Sequence, residues 1–357
     1  MRKSGFLLLV ILFLTYGYQG YKIVHQYISD DIKVKTDGRI SDIAGHIAAI
    51  PLQTPDSGAV RQIRRVQKDG DFLFMIADRR LLQFDTVGNF IRQLTTAVNG
   101  REEVFVADYT LDTDRHQVVV IDSQRNICKF DYFGNRITTN RLNQPWYRLT
   151  ALAYHNGCFW VTAEKLVKNA DNPESYKILH SLYCLDRELN ELSSRSLHLA
   201  EVGRDKIFHS LLVDELLADE YGVYAYTTPA DMAYLLSDTL HILQRQEMPF
   251  LFQNGYFGEA CIYPVRKGKR HLIASYYQTI DDCYTFCYDH ADHTAYMLPK
   301  GFKDDVNKTG YIADFQPMDV YSQTYCFLKS GAALAKKFPD RAKNDNSPVL
   351  FIVTLKS

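Results

Sequence analysis

The sequence predicts an all-β protein, a six-bladed β-propeller with four-stranded antiparallel blades, and three observations carry that expectation. A pattern of about fifty residues recurs along the chain, and a fixed period of this size marks a repeat architecture. Tyr and Phe are abundant, at 24 and 20 residues, and such side chains suit half-buried pleated surfaces. One strand-like segment, His46 to Leu52, precedes the first repeat, while the last repeat is short of a strand. Pairing the two closes the ring and leaves no loose first or last blade.

The repeat is plainest in two copies. Phe74-Met75-Ile76-Ala77-Asp78 followed by Leu82-Gln83-Phe84-Asp85-Thr86-Val87-Gly88-Asn89-Phe90-Ile91 returns as Val118-Val119-Val120-Ile121-Asp122 followed by Cys128-Lys129-Phe130-Asp131-Tyr132-Phe133-Gly134-Asn135-Arg136-Ile137. Each reads strand, turn, strand, turn, strand. The Phe-Asp-x-x-Gly-Asn element puts Asp at the start of a tight turn and Gly-Asn where positive φ is tolerated, which is hairpin chemistry and joins the third and fourth strands of a blade. Looser copies centre on Asp186, Ser237 and Asp289, so the turns fall about 46, 55, 51 and 52 residues apart. A sixth unit is irregular, with a strand Thr324 to Leu328, a helix-like insert Gly331 to Lys337 and a last strand Val349 to Leu355. Ser210 to Glu220 reads as a short helix or a loop between blades. Hairpins at regular spacing also build sandwiches and barrels, the rival architecture.

Composition limits the function classes. Lys and Arg total 41 against 42 Asp and Glu, a net charge of −1, so no excess charge drives binding to nucleic acid or anionic lipid. The chain opens differently from its remainder, with Arg2 and Lys3 ahead of an apolar run from Phe6 to Leu14. That is the pattern of an export signal, and the run is about half of the roughly 20 residues needed to span a bilayer. Residues 1–21 are therefore read as a signal peptide or N-terminal membrane anchor, 22–39 as a linker and 40–357 as the propeller domain, with the protein exported to the periplasm or cell envelope. Membrane contact is expected only through the N-terminal segment if it is retained. The seven cysteines are an odd number lying mostly among strand residues, which reads as buried free thiols rather than a disulfide framework.

The sequence resembles a family of exported six-bladed β-propellers abundant in gut-type Gram-negative bacteria and related in fold to NHL-repeat and TolB-like propellers. The residues carrying the resemblance are Ile40-Ser41-Asp42-Ile43, Ala49-Ile50-Pro51-Leu52-Gln53-Thr54, the two Asp-containing hairpins, and the ending Asn344-Asp345-Asn346-Ser347-Pro348-Val349-Leu350-Phe351-Ile352-Val353. The chain lacks the lipoprotein cysteine of many members and has Asn99-Gly100-Arg101-Glu102-Glu103 in place of a Gly-Pro-Gly-Glu-like loop. The resemblance implies a propeller from about residue 40 to 357, with no established catalytic activity and no cofactor.

Propellers bind ligands where loops of several blades meet at one mouth of the channel, which directs attention to the segments entering each innermost strand. Arg101, Glu102, Trp146, Tyr147, Arg148, His209 and Tyr256 lie on such entries and are the candidate ligand-binding residues, although blade packing accounts for the same aromatics. Cys283, Cys287, His290 and His293 are the one string with metal-ligand identities; the two cysteines share a strand face, but the histidines fall on the following turn at opposite parities, which disfavours convergence. Asp78, Asp85, Asp122 and Asp131 recur blade by blade, which points to turn carboxylates accepting backbone N–H groups rather than to acid-base pairs or calcium ligands. No nucleophile elbow, phosphate loop or zinc-protease string occurs. The expected function is a non-catalytic binding or scaffold propeller of the envelope that contacts a protein or glycan-type ligand through its loop-rich face. The alternatives are a hydrolase or lactonase-like enzyme holding a divalent cation in the channel, and a purely structural component of an outer-membrane assembly.

Overall fold

The computed structural model of the chain describes residues 33–357 apart from 54–59, 61–62, 96–103, 143–147, 204–214, 220–221, 228–231, 238–239, 241, 248–260, 263–265, 268–269, 278–282, 290, 319–322, 332–333, 335–336 and 338–347. It forms two compact units, a larger one comprising His46–Arg245 with Gln316–Thr354 and a smaller one comprising Met1–Gly45, Gln246–Phe315 and Leu355–Ser357. The segment read as a signal or anchor lies outside the described residues. Among those described, no helix is long and apolar enough to cross a membrane.

In chain order the elements begin with β1 (Lys33–Lys35), the one-turn helix α1 (Ile40–Ile43) and β2 (Ala44–Pro51). A first four-stranded sheet follows from β3 (Ile63–Asp69), β4 (Phe72–Ala77), β5 (Arg80–Asp85) and β6 (Phe90–Gln93), and a second from β7 (Val106–Asp112), β8 (Gln117–Asp122), β9 (Ile127–Asp131) and β10 (Arg136–Asn140). The third sheet contains β11 (Arg148–His155), β12 (Cys158–Lys168), β13 (Ser175–Leu185) and β14 (Glu191–Gly203), and the fourth β15 (Glu215–Asp219), β16 (Gly222–Thr227), β17 (Met232–Leu236) and β18 (Ile242–Glu247). The smaller unit carries β19 (Cys261–Ile262), β20 (Arg266–Lys267), β21 (His271–Tyr277), β22 (Cys283–Asp289) and β23 (Thr294–Leu298), then a hairpin of β24 (Phe302–Asp304) and β25 (Gly310–Ile312). The terminal sheet is built from β26 (Gln316–Pro317), β27 (Thr324–Lys329), β28 (Val349–Leu355) and the early strand β2, in the order β2-β28-β27-β26.

Within the first four sheets, every strand pairs with its sequence neighbour, the meander expected of a blade. The sheets of the larger unit bury their faces against one another in succession. Leu52, Leu73, Leu82 and Phe84 meet Cys326 and Leu350 of the terminal sheet, and Phe74, Ile76 and Leu81 meet Tyr109, Val118 and Phe130. Val119 and Ile121 then pack on Leu152, Phe159 and Val161, and Trp160 and Leu182 pack on Leu216 and Val223. Adjacent positions such as Val118 and Val119 therefore serve different interfaces, which is why these strands read as continuous apolar runs rather than alternating ones.

The repeated aspartates are consumed by their turns. Asp85, Asp131 and Asp186 open the turns between third and fourth strands, and Asp122 opens the one between β8 and β9. In all four, Oδ1 accepts the backbone N–H groups two and four residues on, and Oδ2 accepts the side-chain amide of an Asn four residues on, at 2.6–3.0 Å. The residue three on carries the positive φ that the turn demands: Gly88, Arg125, Gly134 or Leu189. Asp78 departs from the set. It lies in the left-handed region itself, with Arg79, and its carboxylate faces Arg80 at 3.5 Å, because the link between β4 and β5 is only two residues long.

Three other elements differ from the sequence reading. The stretch taken as a linker ends in β1, which joins the fifth sheet in parallel beside β23, pairing Lys33 with Thr294 and Lys35 with Tyr296. The stretch Ser210 to Glu220, read as a short helix or a loop, contains the strand β15, paired from Glu215–Tyr226 to Asp219–Gly222. The hairpin β24–β25 was not foreseen. It is tied to α1 by Asp305, whose carboxylate accepts the N–H and hydroxyl of Ser41, and Lys356 donates to the carbonyls of Ser41 and Asp42.

The fifth sheet holds a buried ion cluster with a pH signature. Asp289 receives Arg270 through both carboxylate oxygens at 2.8–3.1 Å and the N–H groups of Ala291 and Asp292. Burial pushes its carboxyl up, but these partners outweigh it, so the group is held below the ordinary Asp value of about 3.9. A depressed folded-state value means stabilisation that is complete above the unfolded value and is lost as pH falls through the folded one. Asp289→Asn should therefore lower the denaturation midpoint at neutral pH, and the gap from wild type should close as solutions are acidified below the ordinary carboxylate range. A gap that stays constant with pH contradicts the assignment.

Candidate functional site

The first strands of the first three sheets, β3, β7 and β11, share a local irregularity. Pairing with the neighbouring strand slips by one residue between Arg64 and Val66, between Val106 and Asp108, and between Leu149 and Ala151. A bulge at the same place in successive repeats re-aims the side chains around it. At the first of these, Arg65 adopts φ of +49°, a region uncommon for a residue with a Cβ. Its guanidinium reaches Asp108 of the second sheet and donates to the Leu152 carbonyl of the third at 2.7 Å. Asp108 also accepts the Leu152 N–H at 2.8 Å, and the Tyr109 hydroxyl lies 2.8 Å from both the Arg65 and Phe74 carbonyls. One arginine and one aspartate thus clasp the first strands of three consecutive sheets. Burial pushes the Asp108 carboxyl above its ordinary value, with Arg65 and the backbone N–H groups pulling against it.

A second polar row crosses the third sheet. Arg148, Glu164, His180 and His198 are successive cross-strand partners in β11 to β14. Arg148 pairs with Glu164, whose other oxygen is 3.7 Å from Nδ1 of His180. Glu164 and His180 are buried, while the Arg148 side chain keeps 37% of its surface exposed. Thr150 and Thr162 bond through their hydroxyls beside this row at 2.7 Å. The row therefore presents one guanidinium outward, backed by a buried carboxylate.

Of the residues named from sequence, Arg148 is the first residue of β11. Arg101, Glu102, Trp146, Tyr147, His209 and Tyr256 lie outside the described residues, as does His290. Cys283 and Cys287 both stand on β22. Cys287 is fully buried, and burial pushes its thiol well up, which suppresses the thiolate that metal ligation needs. His293 is in the left-handed region of the following turn, its Nδ1 3.1 Å from the Tyr288 hydroxyl. Among the described residues no group of three or more His, Cys, Asp and Glu is arranged to hold a metal. Cys128, Cys158, Cys184, Cys287 and Cys326 are free thiols. Arg65 and Asp108 escaped the sequence reading because a bulge leaves no mark in residue type. Glu164, a charge within the largely apolar strand β12 after Phe159-Trp160-Val161-Thr162-Ala163, was a usable signal of a buried pair.

Successive four-stranded antiparallel meanders are the blades of a propeller. Residues 22–196 match a domain family described as a 6-bladed beta-propeller. A crystal structure of a protein from Bacteroides fragilis NCTC 9343, described as exported, superposes with a TM-score of 0.59 at 14% identity, covering 91% of this chain and all of that one. The Cps50 (Swd1) beta-propeller domain of Myceliophteria thermophila gives 0.42 at 10% identity over 87% of this chain and 100% of its own, and the RRP9 WD40 repeats give 0.43 at 11% over 91% and 100%. No curated protein matches the sequence.

Proposed function

We propose that the protein is an exported, non-catalytic binding or scaffold propeller of the cell envelope, its six blades closed into a ring by β2, which engages a protein or glycan-type ligand at the face where chain segments enter the first strands. The observation that carries this reading is the use of charge. The recurring aspartates are spent on their own turns and Asp108 on Arg65; Arg148, paired with the buried Glu164, keeps 37% of its side chain exposed at the start of β11, and arginine is a good group for recognising carboxylates or hydroxyls. Export rests on the basic start and apolar run of residues 2–14, and it accords with a fold shared with a protein described as exported.

The test begins with elemental analysis of the purified protein before and after a chelator wash. A stoichiometric divalent ion that survives the wash overturns the non-catalytic reading. A folded, metal-free protein that binds a glycan array or an isolated envelope fraction, with Arg148→Ala weakening that binding, supports it. Binding unaffected by Arg148→Ala removes this face from the proposal.

A further inference from the structure

At the opposite end of the second and third sheets, where the hairpins turn, a polar cluster interrupts an otherwise apolar interface. Asp112 closes β7 directly across from Gln117 at the start of β8, and Lys129 of β9 lies on the same face. The third sheet contributes Tyr154, Phe159 and Arg187. Arg187 bonds Asp114 and the Tyr154 hydroxyl, lies 5.7 Å over the Tyr154 ring, and brings Nε to 3.8 Å from Asp112. A Cβ on Gly157 would stand 3.7 Å from that same Nε, so the β11–β12 turn forms the other wall. Lys129 donates to the Arg187 carbonyl and sits 5.4 Å from the Phe159 ring.

The cluster contains buried polar atoms without a hydrogen-bond partner among the described residues. Asp112 is 0% exposed, yet neither carboxylate oxygen has a hydrogen-bond partner, and the same holds for Oε1 of Gln117 and Nε of Arg187. Orphaned buried groups are rare in native proteins and ask for a complementary occupant. The inventory is specific: two donors for Asp112, one for Gln117 and an acceptor for Arg187. A metal ion cannot accept from Arg187 and would sit against two cations; an anion meets Asp112. A neutral compound with adjacent hydroxyls both donates and accepts, and the rings of Tyr154 and Phe159 suit its carbon skeleton.

We infer that this cluster, opened at Arg187, binds the hydroxyl groups of a small polyol or sugar, a vicinal pair on Asp112 with Gln117 and Arg187 completing the contacts. Arg187 covers the carboxylate and keeps 27% of its own side-chain surface exposed, against an Asp114 partner that is 63% exposed, so the ligand enters by displacing it. This site does not depend on the binding face proposed above. Ligand-observed NMR with glycerol, glucose and N-acetylglucosamine, on the full chain, tests it. The expected result is saturable binding of at least one probe, weakened about tenfold or more in Asp112→Asn and unchanged in Lys177→Ala, whose side chain pairs with the exposed Asp171 near the far end of β13. Gln117→Leu, expected to weaken the same probe, replaces Asp112→Asn if that variant does not fold. No saturable binding, or equal binding by wild type and both cluster variants, overturns the inference and leaves water as the occupant.

Discussion

Gly88→Ala is expected to destabilise the protein severely, while Gly134→Ala, at the same position of the same repeated turn, costs far less. Both glycines have positive φ, +92° and +86°, so both substitutions incur the backbone cost of a Cβ in that region, about 1 kcal/mol. The surroundings separate them. A Cβ on Gly134 finds nothing closer than 3.8 Å, whereas one on Gly88 would lie 2.2 Å from the Pro51 carbonyl oxygen at the end of β2. The chain is held there by the Gln53 N–H donating to the Gly88 carbonyl at 2.8 Å and the Gln53 side chain accepting the Phe90 N–H at 3.2 Å. Relief requires backbone movement between β2 and the first sheet, so a loss of about 3 kcal/mol or more is expected for Gly88→Ala. Denaturant melts of the two variants decide it, and equal losses would mean that β2 does not pass this turn as described.

Asp108→Ala should be the second costly change, with a loss of about 2–3 kcal/mol, because removing one member of a buried ion pair strands the other. A value below the roughly 3–5 kcal/mol of fully buried pairs applies, since the Arg65 side chain remains 23% exposed. Arg65 would keep the Leu152 carbonyl but lose its counter-charge, and the Leu152 N–H would lose its acceptor. A double-mutant cycle with Arg65→Ala isolates the pair. The double variant should be less destabilised than the sum of the single ones; additive losses would show that the clasp contributes nothing beyond separate contacts.

Sequence revealed most where chemistry is local. The Asp-x-x-Gly-Asn element specifies its turn through residues within five positions of one another, so Asp85 and Asp131 were legible, and Asp186 remained so with Leu189 in place of glycine. The strand Val349–Leu355 was legible from its unbroken apolar run. Asp78 was misjudged because recurrence of a residue type does not reveal the length of the link that follows it. The parallel strand β1 was missed because a short strand draws its stability from its pairing partner, here β23, far away in sequence; the strand β15 was missed although its partner β16 follows it directly. The bulges on β3, β7 and β11 are decided by cross-strand register and leave no compositional trace. The Asp112 cluster needed coordinates altogether: Asp112, Gln117, Lys129, Tyr154 and Arg187 come from five strands or turns and share no spacing.

The terminal sheet binds a strand from the beginning of the described chain to strands from its end, β2 at Ala44–Pro51 beside β28 at Val349–Leu355. Contacts of such long sequence separation pay their loop-closure entropy before they return any energy, and they form late. The first three repeats can gather their own hairpins as the chain emerges, but the sheet that includes β2 has to wait until Leu355 has been made. Contact order thus imposes a delay between synthesis and completion of the fold. During that interval the chain lacks its last cooperative unit, the sheet that joins β2 to β28.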